Sequence, residues 1–397
     1  MKRVYITTAL TCLVILAAFT ACFRLMNITG GRERLKIGFI YDNDESTPYT
    51  YNFSLARDAV EKKYAGRLDI MTCSNVLDDE MEEPIRQLAG SGCDIIFTSS
   101  YSPLVRKLAP EYPDTQFCQT SYMDMSDQDV PENYHTFKGE AYQGRYVSGI
   151  AAGMKIDQMI NEGIITPDEA MVGFVAAFPT SEVISGYTAF LLGVRSVVPT
   201  ARMRVSYTNT WSSYAHEKSA ARQMIKDGCV VITQHTDTIG PAIACEEAGG
   251  DRPVYFVGWA QSMSEVAPGA SLVTSRICWE PYVVSAVDAM MANRKIESVV
   301  TGNIHGSDVS AGFEKDWVEM LDLNQQVAAP GTQEAMDAAI ERFSRGEKEF
   351  VFKGDYVCVN PDDPSDTCDL KGGYIENEKT SFPMFCYILS DIITIVE

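Results

Sequence analysis

The sequence lacks the short motifs that mark most enzyme classes. Its 397 residues contain no G-x-S-x-G, no H-E-x-x-H, no P-loop and no G-x-G-x-x-G fingerprint. There is also no C-x-x-C pair and no Cys/His spacing typical of a metal site. Two acidic clusters, at 42–46 and 362–366, lack the glycine-containing EF-hand spacing and are interpreted as solvated loops. The sequence therefore predicts no metal site, no cofactor and no catalytic residues.

Positive charge is scarce as well. The chain has 33 Lys and Arg residues against 54 Asp and Glu residues, which gives a formal net charge of −21. An acidic surface of this kind is repelled by phosphates and gains nothing from counterion release. Nucleic acid is therefore excluded as a partner. Because the acidic residues are spread thinly along the chain, they indicate a soluble, mutually repelling surface.

Only one long apolar run is present, and it lies at the N-terminus. Lys2 and Arg3 precede it, and two small residues lead directly into Cys22, as in a bacterial lipobox. We interpret residues 1–21 as a signal peptide and 22–34 as a linker anchored through a lipid on Cys22. An uncleaved membrane anchor is the alternative, since about 20 apolar residues can span a bilayer. Both interpretations place the rest of the chain at the cell membrane, on its extracytoplasmic side.

Nine of the eleven cysteines lie beyond this N-terminal segment. Cys93 and Cys229 fall within apolar runs and are expected to be buried as small hydrophobic residues. Cys358 and Cys368 flank a polar loop and form the best candidate for a disulfide. The odd count leaves at least one thiol free.

The chain contains an internal repeat. Three pairs of segments match in the same order, each separated by 135 or 136 residues, which chance would hardly produce. The pairs are 35–42 with 170–177, 67–75 with 202–210, and 85–100 with 221–236.

Each copy of the repeat alternates short apolar runs with amphipathic segments of helical period. This alternation is typical of βαβ units on a parallel sheet. The sequence thus predicts an α/β protein with two doubly wound, Rossmann-like lobes joined by hinge crossovers. We assign 35–138 and 262–300 to lobe 1, and 139–261 and 303–397 to lobe 2. In this division, LVTSRI (272–277) and the helical pattern at 281–295 return to lobe 1.

Aromatic and polar residues cluster where the predicted strands end. Ligands of open parallel sheets bind beyond the carboxyl ends of the strands, so these loops should line one cleft between the lobes. Ring faces would stack on a flat solute while hydroxyl, carboxyl and imidazole groups read its polar edge. The predicted ligand-binding residues are Tyr49, Thr50, Ser99, Ser100, Tyr101, Phe178, Trp211, His235, Thr236, Asp237, Trp259 and Trp279.

The pair His235 and Asp237 could also suggest proton transfer. General acid–base chemistry would need a nucleophile or an activated water near His235, and Ser99 or Ser100 would reach it only across the cleft. We therefore expect these residues to hold a ligand rather than to react. A cleft hydrolase acting on nucleosides is kept as an alternative.

Several stretches resemble the basic membrane lipoprotein family, the substrate-binding lipoproteins of ABC importers of the purine-nucleoside-receptor type. They are AYQGRYVSGIAAG (141–153), VAAFPTSEVISGYTAFLLGVRSVVP (175–199), TNTW (208–211), QHTD (234–237) and APGASLVTS (267–275). The resemblance covers about residues 35–350. It implies a type I periplasmic-binding fold, a purine-like small molecule bound between the lobes, and an ABC transporter permease as partner.

Carried over by position, the resemblance implies that Tyr49 and Trp211 stack on a base from opposite lobes. Two positions depart from the nucleoside-binding pattern: Ala260 stands where the family has Asp, and Cys278 where it has Lys. Both family residues contact ribose hydroxyls, so a free purine base is expected before a nucleoside, with another small heterocycle third. Pro48-Tyr49 also replaces the family's Gly-Trp. A ligand-sensing lipoprotein without a transport role is a further alternative.

Overall fold

The computed structural model describes residues 31–121, 129–250, 252–321 and 323–396. The predicted signal peptide, Cys22 and most of the predicted linker lie outside these residues. No helix within the described ranges is long and apolar enough to cross a membrane.

The first lobe is built on a seven-stranded sheet. Its central strands, LKIGFI (35–40) and IIFT (95–98), are nearly continuous apolar runs because both faces are buried, as expected for a parallel sheet covered by helices. The strand order is β11-β12-β5-β4-β3-β1-β2, and only the β11–β12 pair is antiparallel. The elements are β1 (Leu35–Ile40), α1 (Pro48–Lys63), β2 (Leu68–Cys73), α2 (Glu82–Gly90), β3 (Ile95–Thr98), α3 (Pro103–Leu108), β4 (Gln116–Thr120), β5 (Tyr134–Gly139), and, later in the chain, β11 (Asn303–His305) and β12 (Asp308–Ala311).

The second lobe repeats this arrangement on its own seven-stranded sheet, in the order β13-β10-β9-β8-β6-β7-β16. Its first five strands follow the same order as the first five of lobe 1, which confirms the predicted two-lobed α/β fold. Only β10–β13 is antiparallel. The elements are α4 (Ala141–Asn161), β6 (Met171–Ala176), α5 (Ser181–Val197), β7 (Arg202–Tyr207), α6 (Tyr214–Lys226), β8 (Val231–His235), α7 (Gly240–Glu247), β9 (Tyr255–Trp259), β10 (Ser271–Ile277), β13 (Val318–Met320) and α9 (Thr332–Ser344).

The chain crosses between the lobes three times. It passes to lobe 2 after β5, returns after β10 to form α8 (Glu280–Met291) against α1, and crosses again between β12 and β13. This differs from the predicted boundaries in two places. Residues 271–277 form β10 in the lobe 2 sheet rather than lobe 1, and 303–311 form two strands of the lobe 1 sheet.

A glycine explains why 271–277 pairs within lobe 2. Gly258 of β9 lies directly opposite Thr274 of β10, and a Cβ at Gly258 would lie only 2.1 Å from Thr274 Oγ1. The absence of a side chain at this position lets β10 dock on β9 and complete the five-strand unit.

The C-terminal segment contacts both lobes. Ser381 N donates to Asp308 Oδ2 of lobe 1 at 2.7 Å, and Ser185 Oγ of lobe 2 donates to Glu376 Oε2 at 2.7 Å. The segment contains the hairpin β14 (Val357–Val359) and β15 (Thr367–Asp369), and its last strand, β16 (Ile393–Val396), pairs with β7 at the edge of the second sheet.

The described cysteines are free thiols. Cys93 and Cys229 are buried, as predicted. Cys358 and Cys368 are direct cross-strand partners on the β14–β15 hairpin, but both are free thiols, so the disulfide expected from the sequence is not formed in this structure.

Candidate ligand-binding cleft

Tyr49 is fixed by the start of helix α1. Thr47 caps this helix by accepting from Thr50 N at 3.4 Å, and Pro48 occupies the first turn, where its missing N–H costs nothing. The Tyr49 hydroxyl donates to Ser99 O at 2.7 Å, and its ring meets Trp279 edge to face at 6.0 Å. The ring therefore stands in one orientation at the end of the lobe 1 sheet.

Asp42 organises the polar part of the lobe 1 wall. Its carboxylate accepts from Ser99 Oγ at 2.9 Å and from Thr50 Oγ1 at 3.3 Å, while its N–H donates to Ser99 Oγ at 3.2 Å. Ser99 and Thr50 are thus engaged in holding Asp42. Sequence reasoning named both hydroxyl residues but missed the carboxylate that they support.

The lobe 2 wall is a row of rings at matching strand ends. Phe178 lies 5.5 Å from Trp211, Trp211 lies 6.1 Å from His235, and His235 lies 4.9 Å from Trp259, all between ring centroids. Trp211 keeps 37% of its surface exposed, which is unusual for so large an apolar side chain that packs against neighbours.

The QHTD turn faces the cleft. Asp237 N donates to Trp211 O at 2.9 Å, which ties the turn to the Trp211 loop. Burial raises the pKa of Asp237 well above its usual range, with further contributions from Asp42, Glu217 and Glu182. His235 Nε2 lies 3.9 Å from Glu182 Oε1, and Glu182 pairs with Lys138 of lobe 1, so the turn lies beside the contact between the lobes.

The surroundings of His235 favour its neutral form. Burial lowers its pKa well below the usual value, and the neighbouring cations Arg145 and Lys138 lower it further. Its Nδ1 has no hydrogen-bond partner, and no hydrogen bond joins it to Asp237. A relay in which Asp237 orients His235 as a base, as in a catalytic triad, is absent from this geometry.

An ion pair links the two lobes beside His235. Lys138, at the end of β5, donates to Glu182 Oε2 at 2.8 Å, and the side chains of both are about nine-tenths buried. Glu182 Oε1 also lies 3.9 Å from His235 Nε2. The sequence does not predict this pair, because Lys138 and Glu182 belong to different lobes and meet only across the hinge.

Arg145 is a further residue of this region that the sequence did not predict. It projects from α4, a helix buried along nearly its whole length, and its guanidinium carbon lies 3.8 Å from the centroid of the Trp259 ring. A single Arg in a run of small and apolar residues was the signal available in AYQGRYVSGIAAG.

The remaining predicted residues occupy different environments. Ser100 and Tyr101 follow β3 and are half-buried, and Thr236 is buried beside His235. Trp279 lies in the lobe 1 core, with its ring centroid 5.1 Å from Phe53. It supports Tyr49 from behind, so its predicted contact with a ligand would be indirect.

The two departures from the nucleoside-binding pattern lie in the same region. Ala260 follows β9 with a left-handed φ of 64° and is buried. Cys278 is buried, and burial raises the pKa of its thiol, so it carries no charge at neutral pH. Neither residue offers the polar contact implied for ribose. Within the described ranges, no group of three or more His, Cys, Asp or Glu side chains is arranged to hold a metal.

Two lobes of parallel sheet, hinged by three crossings and lined with rings at facing strand ends, define a solute-binding protein. The chain matches the Bmp family, described as ABC transporter substrate-binding protein PnrA-like, over residues 36–345. It therefore belongs to this family, whose members are solute-binding proteins of ABC transporters and not enzymes. Its partners are accordingly a small-molecule ligand and a transporter permease.

Sequence relatives and solved structures agree with this assignment. A purine-binding protein of Brucella abortus is 30% identical over 279 residues, which cover 69% of this chain and 74% of that protein. A putative ABC transporter glucose-binding protein of Haloferax volcanii is 32% identical over 238 residues, 59% of this chain and 55% of that relative's length. ABC transporter solute-binding proteins from Aeropyrum pernix (15% identity, TM-score 0.62, 79% of this chain and 92% of that one) and Conexibacter woesei (17%, 0.59, 79% and 97%) share the fold.

Proposed function

We propose that this chain is the lipid-anchored, extracytoplasmic binding subunit of an ABC importer and that it captures a free purine base in the interlobe cleft. The two lobes would sandwich the ring system between Tyr49 and Trp211. Hinge closure would then present the loaded protein to the permease.

The observation that carries the proposal is that aromatic rings from both lobes stand near buried polar groups that lack hydrogen-bond partners. The Tyr49 phenol is held by lobe 1, and burial raises its pKa well above normal, with Asp42, Glu182 and Asp237 adding to the effect. Glu182 of lobe 2 pairs with Lys138 at the end of β5 in lobe 1 at 2.8 Å, so the two walls approach each other in this region. Base–aromatic stacking contributes about 1–3 kcal/mol per base.

Two positions support a free base rather than a nucleoside in this proposal. A ribose would leave its hydroxyls beside Ala260 and the neutral Cys278, and each unpaired polar contact costs about 1–3 kcal/mol. The purine-binding relative from Brucella supports the same ligand class. The glucose-binding relative makes a sugar the main competitor for the experiment.

A thermal-shift and calorimetric panel of purine bases, purine nucleosides and glucose tests the ligand. A ligand at 100 times its Kd stabilises the folded state by about 2.7 kcal/mol, so a purine base should raise Tm clearly and a nucleoside less. A shift with glucose alone would refute purine binding and leave membership of the transporter family intact.

Matched variants test the site. Trp211→Ala should weaken base binding by about 1–3 kcal/mol because the lobe 2 stacking face is lost. Tyr214→Ala removes another exposed aromatic from the same lobe, 45% exposed, and should bind as the wild type does. Equal affinities for the two variants would show that Trp211 does not contact the ligand.

The anchor is tested in cells. The wild-type chain should fractionate with membranes and incorporate labelled fatty acid, whereas Cys22→Ser should do neither. A Cys22→Ser protein that retains the lipid label would place the modification elsewhere.

A further inference from the structure

Arg145 presents an unusual electrostatic problem. It is fully buried, and its Nε and both terminal nitrogens lack hydrogen-bond partners. Burial lowers its pKa to about 9, although the nearby Glu182 carboxylate acts in the opposite direction. A buried guanidinium with five unused N–H groups is costly unless something accepts from it. Stacking on Trp259 offsets part of that cost but leaves the donors unpaired.

Arg145 lies directly beneath the rings of the lobe 2 wall. Its guanidinium lies over the Trp259 ring at 3.8 Å. A Cβ built on Gly186 would lie 3.5 Å from His235 Nδ1 and 3.9 Å from Arg145 Nε, so both groups flank the same glycine in α5. His235 is the second buried group here whose nitrogen has no partner.

The ion pair next to Arg145 is already complete. Glu182 is held by Lys138 at 2.8 Å, and no hydrogen bond connects Glu182 to the guanidinium. Among the described residues none accepts a hydrogen bond from Arg145, so we consider a bound ligand as its acceptor.

We propose that Arg145 is a specificity-determining residue that reads an acceptor-rich ligand edge, so that the cleft prefers 6-oxopurines to 6-aminopurines. This inference rests on the purine ligand proposed above. An oxopurine offers a carbonyl oxygen at position 6 beside the N7 acceptor, and the arginine fork matches that pair of acceptors. Adenine replaces the carbonyl with an amino donor, which opposes another donor.

The amide of the QHTD turn is not available to read adenine. Bidentate recognition of adenine at N6 and N7 uses an Asn or Gln amide as both donor and acceptor. Gln234, in the QHTD turn, donates from its amide nitrogen to Thr236 O and Thr238 O, both at 2.8 Å. Only its oxygen remains, so it cannot form the donor–acceptor pair.

Ligand analogues test the inference on the unaltered protein. Calorimetry should give hypoxanthine an affinity about tenfold or more above that of adenine, and 7-deazahypoxanthine, which lacks the N7 acceptor, should fall by a similar factor. If adenine binds as tightly as hypoxanthine or more tightly, the inference is overturned and purine binding stands. If no purine binds, the proposed function itself fails.

A variant tests the residue. Arg145→Met keeps most of the side-chain volume but no donor, so hypoxanthine affinity should drop to the adenine level while adenine affinity changes less than about threefold. Arg145→Lys, which keeps a cationic donor, should retain part of the preference. An Arg145→Met protein that keeps the full preference, or that loses both ligands equally, would assign Arg145 a structural role instead. If Arg145→Met does not fold, the analogue series decides alone.

Discussion

The two walls of the cleft come from the two copies of one repeat, but their polar groups differ in hydrogen bonding. In lobe 1, Tyr49 and the Asp42 carboxylate are tied down by hydrogen bonds from their own lobe. In lobe 2, Trp211 keeps an exposed face, and Arg145 and His235 carry nitrogens with no partner. Tyr49 and Asp42 are thus satisfied, although Ser100 Oγ and Trp279 Nε1 of lobe 1 also lack partners. In lobe 2 the nitrogens without partners belong to a guanidinium and an imidazole.

This difference shows that the two copies of a repeat can take different roles in ligand binding. A satisfied wall positions a ring without needing a ligand to stabilise it. An unsatisfied wall stores an energetic cost that only a matching ligand relieves. We expect lobe 1 substitutions to alter stability and lobe 2 substitutions to alter ligand choice.

The largest stability effect should come from the ion pair that joins the walls. Lys138→Met leaves the buried Glu182 carboxylate without its cation and should cost about 3–5 kcal/mol in the free energy of unfolding, measured by urea denaturation. The double variant Lys138→Met/Glu182→Gln should lose less than the two single losses combined, because neither charge is left alone. Additive losses would mean that the pair contributes no coupling.

A lobe 1 prediction follows for Tyr49. Tyr49→Phe removes the hydroxyl that donates to Ser99 O and should cost about 1 kcal/mol of stability, with base affinity nearly unchanged because the ring remains. Tyr51→Phe, on the exposed side of the same helix, is the control and should change neither. A large loss of affinity in Tyr49→Phe would show that the phenol oxygen itself contacts the ligand.

The next largest effect on stability is expected at Ala260, where the backbone differs between the lobes. Ala260 N donates to Ser275 O of the fifth strand, as Ser121 N does to Phe137 O in lobe 1, but only Ala260 has a positive φ. Ala260→Gly should stabilise the protein by about 0.5–1 kcal/mol, since glycine adopts this conformation without strain. Chemical denaturation measures it, and destabilisation would show that the Ala260 methyl packs favourably enough to offset the strain.

The smallest effect is a pH dependence at the tail. Burial raises the pKa of Glu376 above 4.5, opposed by hydrogen bonds from Met384 N, Ser185 Oγ and Phe385 N. A carboxyl with a raised folded-state pKa stabilises the fold most below its unfolded pKa and loses this contribution as pH rises through the folded value. The Tm of Glu376→Gln relative to wild type should therefore increase from pH 4.5 upward.

The exposed Glu378, two residues further on, is the matched control. Glu378→Gln removes an exposed carboxyl from the same segment and should change Tm only slightly. If the two variants show the same pH profile, the buried environment of Glu376 has no influence on its titration.

The repeat predicted most of the fold, and its limits explain the errors. Three matching segments defined two parallel sheets, and strands ending in polar or aromatic residues indicated the cleft. The fifth strands of the two lobes, β5 and β10, show no obvious sequence similarity. An offset of 136 residues carries β5 (134–139) onto 270–275, which begins one residue before β10. The repeat therefore indicates that 271–277 belongs to lobe 2.

The charged residues where the lobes meet could not be predicted in the same way. Lys138, Arg145 and Glu182 lie on two lobes and become neighbours only through the crossing after β5. Sequence periodicity reports which face of one element is buried, but it carries no information about side chains that meet across a hinge. Aromatic residues at strand ends are recognisable by position, whereas a buried arginine looks like a surface residue until its helix is seen to be covered on all sides.

The tail has a practical consequence for anyone preparing this protein. The family match ends at 345, which invites truncation there, yet β16 supplies the outermost strand beside β7. A shortened version would bare the hydrogen-bonding edge of β7 and leave Ser185 without its carboxylate acceptor. Exposed strand edges recruit other chains, so a protein trimmed at 345 should aggregate more readily than one that retains β16.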